Sequence, residues 1–172
     1  MRIWNLILRK DALVSTMNEI KIYPVLQEDQ EKVASFFAKL GPEGTFFFNR
    51  LNGNCKRALK AAAGDIPYYH GFMAVDQGEM VGYVFLYDMN KGIPVLGIGA
   101  IEGYKGVGLG SKMMEFAIAH AKKHGKGGIL LTTHVANIRG QGLYEKYGFE
   151  RMGTALSGEV LYLLRFVEDI SE

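Results

Sequence analysis

Apolar and polar positions along the chain alternate in short blocks that switch between a two-residue and a 3.6-residue period. Ile20, Ile22 and Val25 read as a short strand. Glu28 and Asp29 then mark a helix start, where carboxylates suit the positive end of the helix dipole. Val33, Phe36, Phe37 and Leu40 follow at i, i+3, i+4 and i+7, with Gly41 as the stop, so this helix is amphipathic. Residues 42–70 are less regular: an aromatic run at 46–48, then Asn49 and Arg50, then an Ala/Lys/Arg stretch able to form a second helix. Residues 72–75 and 80–88 read as strands around a turn at 76–79, with Gly78 available for its tight position. A third apolar run covers 93–101, and 111–124 sets Met114, Ala117, Ile118 and Ala121 opposite Lys112, Glu115 and Lys122, which predicts a helix. Residues 128–135 read as a strand, 142–147 as a helix ended by Gly148, and 149–152 and 160–167 as two closing strands. The expected order is β, α, α, three β, α, β, α, β, β, and a mixed sheet with helices on both faces buries that set economically.

Length and charge narrow the possibilities. A chain of 172 residues, 48% hydrophobic and 22% charged, suits one folded domain with its own core. The formal net charge is +2, with basic and acidic residues interspersed, so neither nucleic acid nor an anionic membrane is an expected partner. Any anionic ligand must be held locally. Cys55 is the single cysteine, which excludes an internal disulfide and fits a reducing compartment, with the cytoplasm as the expected location. No apolar run approaches the roughly 20 residues of a membrane-spanning helix. The opening MRIWNLIL is interrupted by Arg9, Lys10 and Asp11. Residues 1–16 read as an N-terminal extension, either an appended segment or an upstream translation start, and 17–172 as the single domain, with Met17 just before the first strand.

The most informative stretch is IGAIEGYKGVGLGSK, from Ile98 to Lys112, which joins an apolar strand to a helix through alternating glycines. Gly106, Gly108 and Gly110 lack Cβ atoms, so the chain can curl and a phosphate can approach main-chain N–H groups at a helix terminus, with the Ser111 hydroxyl beside it. A plain strand-to-helix connection would carry the same glycines. Two common phosphate motifs fail on spacing. A Walker loop needs Gly-Lys-Ser/Thr, and here Ser111 precedes Lys112; a dinucleotide-binding pattern begun at Gly106 or Gly97 would need its third glycine at Ser111 or Glu102. A nucleotide-binding protein is thereby disfavoured.

A second constellation, NIRGQGLYEKYGF from Asn137 to Phe149, follows the next strand. Alone, Asn137 reads first as a helix cap, and Tyr144 serves as a core aromatic. Combined with the glycine turn, the pair resembles the cofactor signature of the GNAT superfamily of N-acyltransferases. That pattern is Arg/Gln-x-x-Gly-x-Gly/Ala, then Asn-x-x-Ala-x-x-Leu-Tyr-x-x-x-Gly-Phe. This chain supplies Lys105-x-x-Gly108-x-Gly110 and Asn137-x-x-Gly140-x-x-Leu143-Tyr144-x-x-x-Gly148-Phe149. Lys105 and Gly140 are the departures. Lysine matters little where the backbone binds, though it lacks the arginine fork, and glycine lowers helix propensity locally.

The resemblance implies a mixed α/β fold, a mostly antiparallel central sheet of about six to seven strands flanked by about four helices. It implies acetyl-CoA as co-substrate. The pyrophosphate would be held by Lys105, Gly106, Val107, Gly108, Leu109 and Gly110, with Ser111 at the helix start. The pantetheine arm would be held by Ala100, Ile101 and Asn137, whose strand-end N–H groups would also polarise the acetyl carbonyl. A neutral amine would attack the thioester directly, with Tyr144 near the sulfur as general acid. The 93–101 strand lacks a carboxylate or histidine to serve as base. Glu102 is the nearest candidate and Asp88 another, and a water chain would make either unnecessary.

The acceptor side is expected in 42–70, with Phe47, Asn49 and Arg50 as candidate lining, although the phenylalanines serve equally as core. The acceptor would be an amine on a small molecule or a protein, and a homodimer is allowed. His134 reads as an ordinary sheet or surface histidine, Cys55 as structural. His70, His120 and His124 show no partner at metal-ligand spacing, so no metal is expected. The alternative function is a non-catalytic module that binds acyl-CoA as a sensor.

Overall fold

The computed structural model describes residues 19–167, so the extension assigned to 1–16 lies outside the described residues. Strands β1 (Lys21–Pro24), β2 (His70–Asp76), β3 (Glu79–Tyr87), β4 (Val95–Ala100), β5 (Gly128–Thr133), β6 (Glu150–Thr154) and β7 (Val160–Arg165) form one sheet. Its order is β1-β2-β3-β4-β5-β7-β6. Every neighbouring pair is antiparallel except β4 and β5, which are parallel. The helices are α1 (Gln30–Ala38), α2 (Gly41–Phe48), α3 (Gly53–Ala62), α4 (Leu109–Lys123) and α5 (Ile138–Lys146). The fold is thus the expected mixed α/β one, with a mostly antiparallel open sheet.

The period of two along β3 decides which helix lies on which face. Tyr83 and Phe85 meet Phe48 of α2, and Tyr83 also meets Phe36 and Phe37 of α1. Gly82, next to Tyr83, faces the other way, where an added Cβ would collide with Met113 of α4. So α1 and α2 cover one face of the sheet, while α4 covers the other, joined by α5 through Leu143 against Gly110. Two buried layers result, one aromatic around Tyr83 and Phe36, the other aliphatic around Met113, Met114, Ile129 and Leu131.

The chain departs from expectation in the 42–70 segment, where α2 makes a fifth helix. Gly41 and Gly44 weaken its intrinsic propensity, which is why periodicity does not reveal it. It forms because Pro42 suits a first helical turn and because Phe48 stacks on Phe37 at 5.8 Å while touching Phe36 and Tyr83. Tertiary packing overrides the local preference. Helix α5 also starts earlier than its sequence pattern suggests, because Asn137 caps it.

The parallel pair positions the site. Gly127 N–H donates to Gly92 O at 2.9 Å and Leu130 N–H to Pro94 O at 3.0 Å, with Val95 opposite Leu130 as the matched pair. Beyond that point the two strands separate. Peptide groups alternate in direction along a strand, and Ile101 N–H is turned to β3, donating to Val81 O at 3.0 Å. Ile98 and Ala100 therefore direct their backbone groups toward the gap left by β5.

Candidate active site

The gap between β4 and β5 opens into a cleft of about 710 Å³. Its walls come from Ile98, Gly99 and Ala100 on one strand, Thr132 and Thr133 on the other, α2 and α3 above, and the glycine turn with α5 at the far end. A cleft of that size accepts a ligand well beyond a simple metabolite.

At one end of the cleft, the main chain from Ile101 to Gly108 folds back on itself before α4. Gly103, Gly106 and Gly108 have φ of 95°, 73° and 98°, a region that costs any other L-residue about 1–2 kcal/mol. Open space surrounds the positions where Cβ atoms would sit on Gly106 and Gly108, so conformation and ligand access, not crowding, require glycine there. No side chain caps α4, whose N-terminal N–H groups point at the cleft with the positive end of the dipole behind them. The turn is held from outside: the Tyr104 hydroxyl donates to Asp76 Oδ2, and that carboxylate pushes the phenol up to about 12. Lys105, Gly106, Gly108, Gly110 and Ser111 all line the cleft. Val107 belongs to the same turn, whereas the Leu109 side chain is buried in the core and leaves only its backbone for a ligand.

Cationic side chains surround this terminus. Lys146 donates to Ser111 Oγ at 3.0 Å, Arg139 lines the cleft, and Lys105 sits 3.9 Å from Glu43. Arg139 and Lys146 carry no motif of their own; only the docking of α5 against the first turn of α4 brings them here.

At the middle of the cleft three side chains form a relay. Asn137 Oδ1 accepts from Gly140 N–H at 3.1 Å, capping α5, while Asn137 Nδ2 donates to Thr133 Oγ1 at 3.0 Å. The Thr133 hydroxyl lies close enough to Tyr144 to lower the pKa of its phenol. Burial pushes the Tyr144 hydroxyl up to about 12, and the Thr133 bond pulls it back by stabilising the phenolate. The Tyr144 ring packs on Phe149 and Tyr162 at 6.0 and 5.8 Å. Asn137 is thus a cap and a cleft residue together. Gly140 is explained as well: an added Cβ would collide with the Asn137 side chain.

The family model described as Acetyltransferase (GNAT) family matches residues 46–149, more than half of the chain and the whole of this cleft apart from Glu43, Gly44 and Glu159. This chain belongs to the GNAT acetyltransferase family. Solved structures agree on the fold. The GNAT domain of S. lividans PAT superposes with a TM-score of 0.74 at 16% identity, covering 86% of this chain and 90% of that one. The PaiA N-acetyltransferase of Thermoplasma acidophilum, solved in complex with coenzyme A, gives 0.71 at 16% identity over 86% and 99%. The ribosomal-protein-S5-alanine acetyltransferase of Vibrio fischeri gives 0.70 at 13% identity over 89% and 95%. No curated protein sequence matches the chain. No helix among the described residues is long and apolar enough to cross a membrane.

In this GNAT acetyltransferase the 42–70 segment is sorted differently from its sequence reading. Phe47 and Arg50 line the cleft. Phe46 is exposed, against Arg50 at 5.4 Å and His134 at 5.1 Å. Asn49 does not reach the cleft: it is buried, its Oδ1 accepting from Cys55 N–H at 2.9 Å and its Nδ2 donating to Asn52 Oδ1 at 3.1 Å. Asn54 and Arg57 of α3 line the cleft instead, Arg57 lying 5.2 Å over the Tyr87 ring. Cys55 is half-buried, and burial raises its thiol pKa, as expected of an unreactive cysteine.

The carboxylates also redistribute. Glu102 is exposed and rests against Gly41, outside the cleft lining. Asp88 sits in a turn with Lys91 at 2.8 Å. The cleft holds Glu43, engaged with Lys105, and Glu159, whose Oε2 accepts from Thr132 Oγ1 at 2.7 Å. Thr132 and Thr133 point to opposite faces of β5, so Glu159 occupies the α2 side of the cleft while Tyr144 occupies the α5 side. No motif marks Glu159, which precedes β7 and joins the site only through the pairing of β7 with β5.

Two readings of the ring side chains separate here. His134 keeps to a structural place, its Nδ1 accepting from Ala136 N–H at 3.1 Å while its ring packs on Phe46 and Phe47. His70, His120 and His124 are a correction. Their ligand nitrogens lie within 4.8 Å of one another: His120 and His124 stand one helical turn apart, and the fold adds His70.

Proposed function

We propose that this protein transfers the acetyl group of acetyl-CoA to a primary amine, on a small molecule or a protein, by direct attack. The observation that carries this reading is the uncapped N-terminus of α4, wrapped by left-handed glycines, opening into the cleft where the free edge of β4 leads to the Tyr144 hydroxyl. The residues fit the ligand. The main-chain N–H groups of 106–111, with Lys105, Arg139 and Lys146 around them, would hold the pyrophosphate. The backbone groups of Ile98 and Ala100, with Asn137, would hold the pantetheine amides. Ile101 gives its N–H to Val81 O and accepts from Tyr104 N–H at its C=O, so it leaves no backbone donor for the arm. Bound acetyl-CoA supplies the thioester carbonyl and the thiolate leaving group.

Tyr144 would protonate the departing sulfur. Thr133, which accepts from Asn137 Nδ2, would donate to the phenolic oxygen and stabilise the phenolate as the proton leaves. With its acidity set near 12, Tyr144 stays protonated at every working pH. Glu159, across the cleft, would attract the acceptor ammonium and take its proton, directly or through one water. It replaces Glu102 in that role because it lines the cleft. The same reading takes 17–172 as a single acyltransferase domain. Phe47 and the arginines Arg50 and Arg57 suggest an acceptor with an apolar part and a carboxylate.

The test is turnover of acetyl-CoA against a panel of small-molecule and peptide amines, with titration calorimetry of the cofactor in parallel. Wild type should bind acetyl-CoA saturably and acetylate a member of the panel. Tyr144→Phe should bind equally and lose about 10²–10³ in kcat. Binding without turnover in either protein would favour a sensor, and no binding to the folded protein would overturn the acetyl-CoA reading.

A further inference from the structure

At the end of α4 remote from the glycine turn, three imidazoles meet in a place that acetyl transfer does not use. His120 and His124, at i and i+4, share one face of the last helical turn, and His70 opens β2 beside them. From Leu109 to His120 the helix axis runs about 16 Å, which puts the cluster well outside the cleft. His70 Nδ1 lies 2.9 Å from His120 Nε2, and the three ligand nitrogens fall within 4.8 Å.

We propose that His70, His120 and His124 bind a divalent transition-metal ion, with zinc the best match, leaving a fourth coordination position open to solvent. Three neutral imidazoles are the donor set that zinc and its neighbours in the first transition row accept. Tetrahedral zinc with bonds of about 2.0–2.1 Å needs nitrogens about 3.3–3.4 Å apart, within the span of separations already present. His124 is already in the required tautomer. Its Nδ1–H donates to the His120 carbonyl at 2.8 Å, which leaves the Nε2 lone pair for a metal, the backbone support that metal-bound histidines commonly have.

The His120 ring is fixed from below, edge-on to Phe72 at 4.8 Å and parallel to Phe116 at 6.2 Å. Between His70 and His120 one ring nitrogen now carries the shared proton. Binding requires that ring to move its proton to its other nitrogen, with no net loss of charge. His124 is exposed and the other two are half-buried, so an ion enters without opening the fold. Lys123 and Lys126 are near enough to act on the pair electrostatically and oppose a cation. They weaken the site without occupying it. A bound ion would pin the C-terminal turn of α4 to the first residue of β2.

The experiment uses the full chain, freed of any histidine tag and stripped with chelator, titrated with zinc by calorimetry and with cobalt by visible absorption. One ion per chain should bind, with the d–d bands of a nitrogen-ligated cobalt centre. At free zinc about 100 times Kd the thermal midpoint should rise by about 5–10 °C. His124→Ala, an exposed position, should keep the metal-free midpoint and weaken binding at least tenfold. Acetyl-CoA binding, measured in both proteins, should be unaffected by the substitution, so the outcome is independent of the acetyl-transfer reading. Absence of saturable binding, or affinity unchanged in both His124→Ala and His70→Ala, would overturn the proposal.

Discussion

The two ends of the cleft are built on different principles. At the glycine turn the main chain presents itself to the ligand: Gly106 and Gly108 hold φ of 73° and 98°, and no side chain caps the helix that follows. At the end walled by residues 47–57 side chains line the cleft, and packing assigns their places one by one. Adjacent residues there diverge completely, with Phe47 in the cleft, Phe48 stacked in the aromatic core, Asn49 buried under Cys55 N–H and Arg50 back in the cleft. A backbone site is specified by where glycine is tolerated, and a side-chain site by what each side chain meets.

That contrast breaks first at Gly108. Gly108→Trp places a bulky ring in the space left for the ligand and strains a positive φ, and it should remove at least two charge-assisted N–H contacts. Acetyl-CoA affinity should fall about 100-fold or more by calorimetry, with the fold intact by circular dichroism. Retained affinity would mean that the turn is only a connection. The acceptor end is sharpened by Glu159→Gln. At pH 7 kcat/KM should drop about tenfold or more, recovering as rising pH deprotonates the acceptor amine itself. Tyr144 sets no falling limb over that range: its pKa is raised from 10.0 to about 12, so the neutral acid form persists beyond the pH at which an ordinary tyrosine is half ionised. A pH-independent loss would remove Glu159 from the proton path.

Smaller effects test the structural roles. Asn49→Ala should cost about 1–2 kcal/mol in urea unfolding, because it strands Cys55 N–H at the start of α3, yet leave KM for the amine within about twofold. A large KM change would return Asn49 to the substrate site. Gly140→Ala should destabilise by about 1 kcal/mol despite the gain in helix propensity, since the new Cβ displaces the Asn137 cap. A stabilised variant would show that the Asn137 side chain has room to yield.

The element order and the glycine turn were legible along the chain. Strand and helix periods report which residues face the core, and Gly106, Gly108 and Gly110 mark the turn into α4. The Asn137 and Tyr144 positions were legible too, through their spacing within one strand–helix unit. Helix α2 was not, because Gly41 and Gly44 argue against it and the aromatic stack of Phe48 overrules them. Glu102 looked nearest to the chemistry because it is nearest in sequence, but proximity along the chain does not survive the turn at Gly103.

By itself, then, the sequence determined local conformation: periods, caps, left-handed glycines and the turn they make, all of which depend on residues a few positions apart. Only the tertiary structure decided the parting of β4 from β5, the placing of Glu159 opposite Tyr144, the gathering of Arg139 and Lys146 at the helix terminus and the meeting of His70 with His120. Each of those contacts joins elements far apart in the chain, and what brings them together is burial of both sheet faces, an energy summed over the whole core that no local pattern encodes.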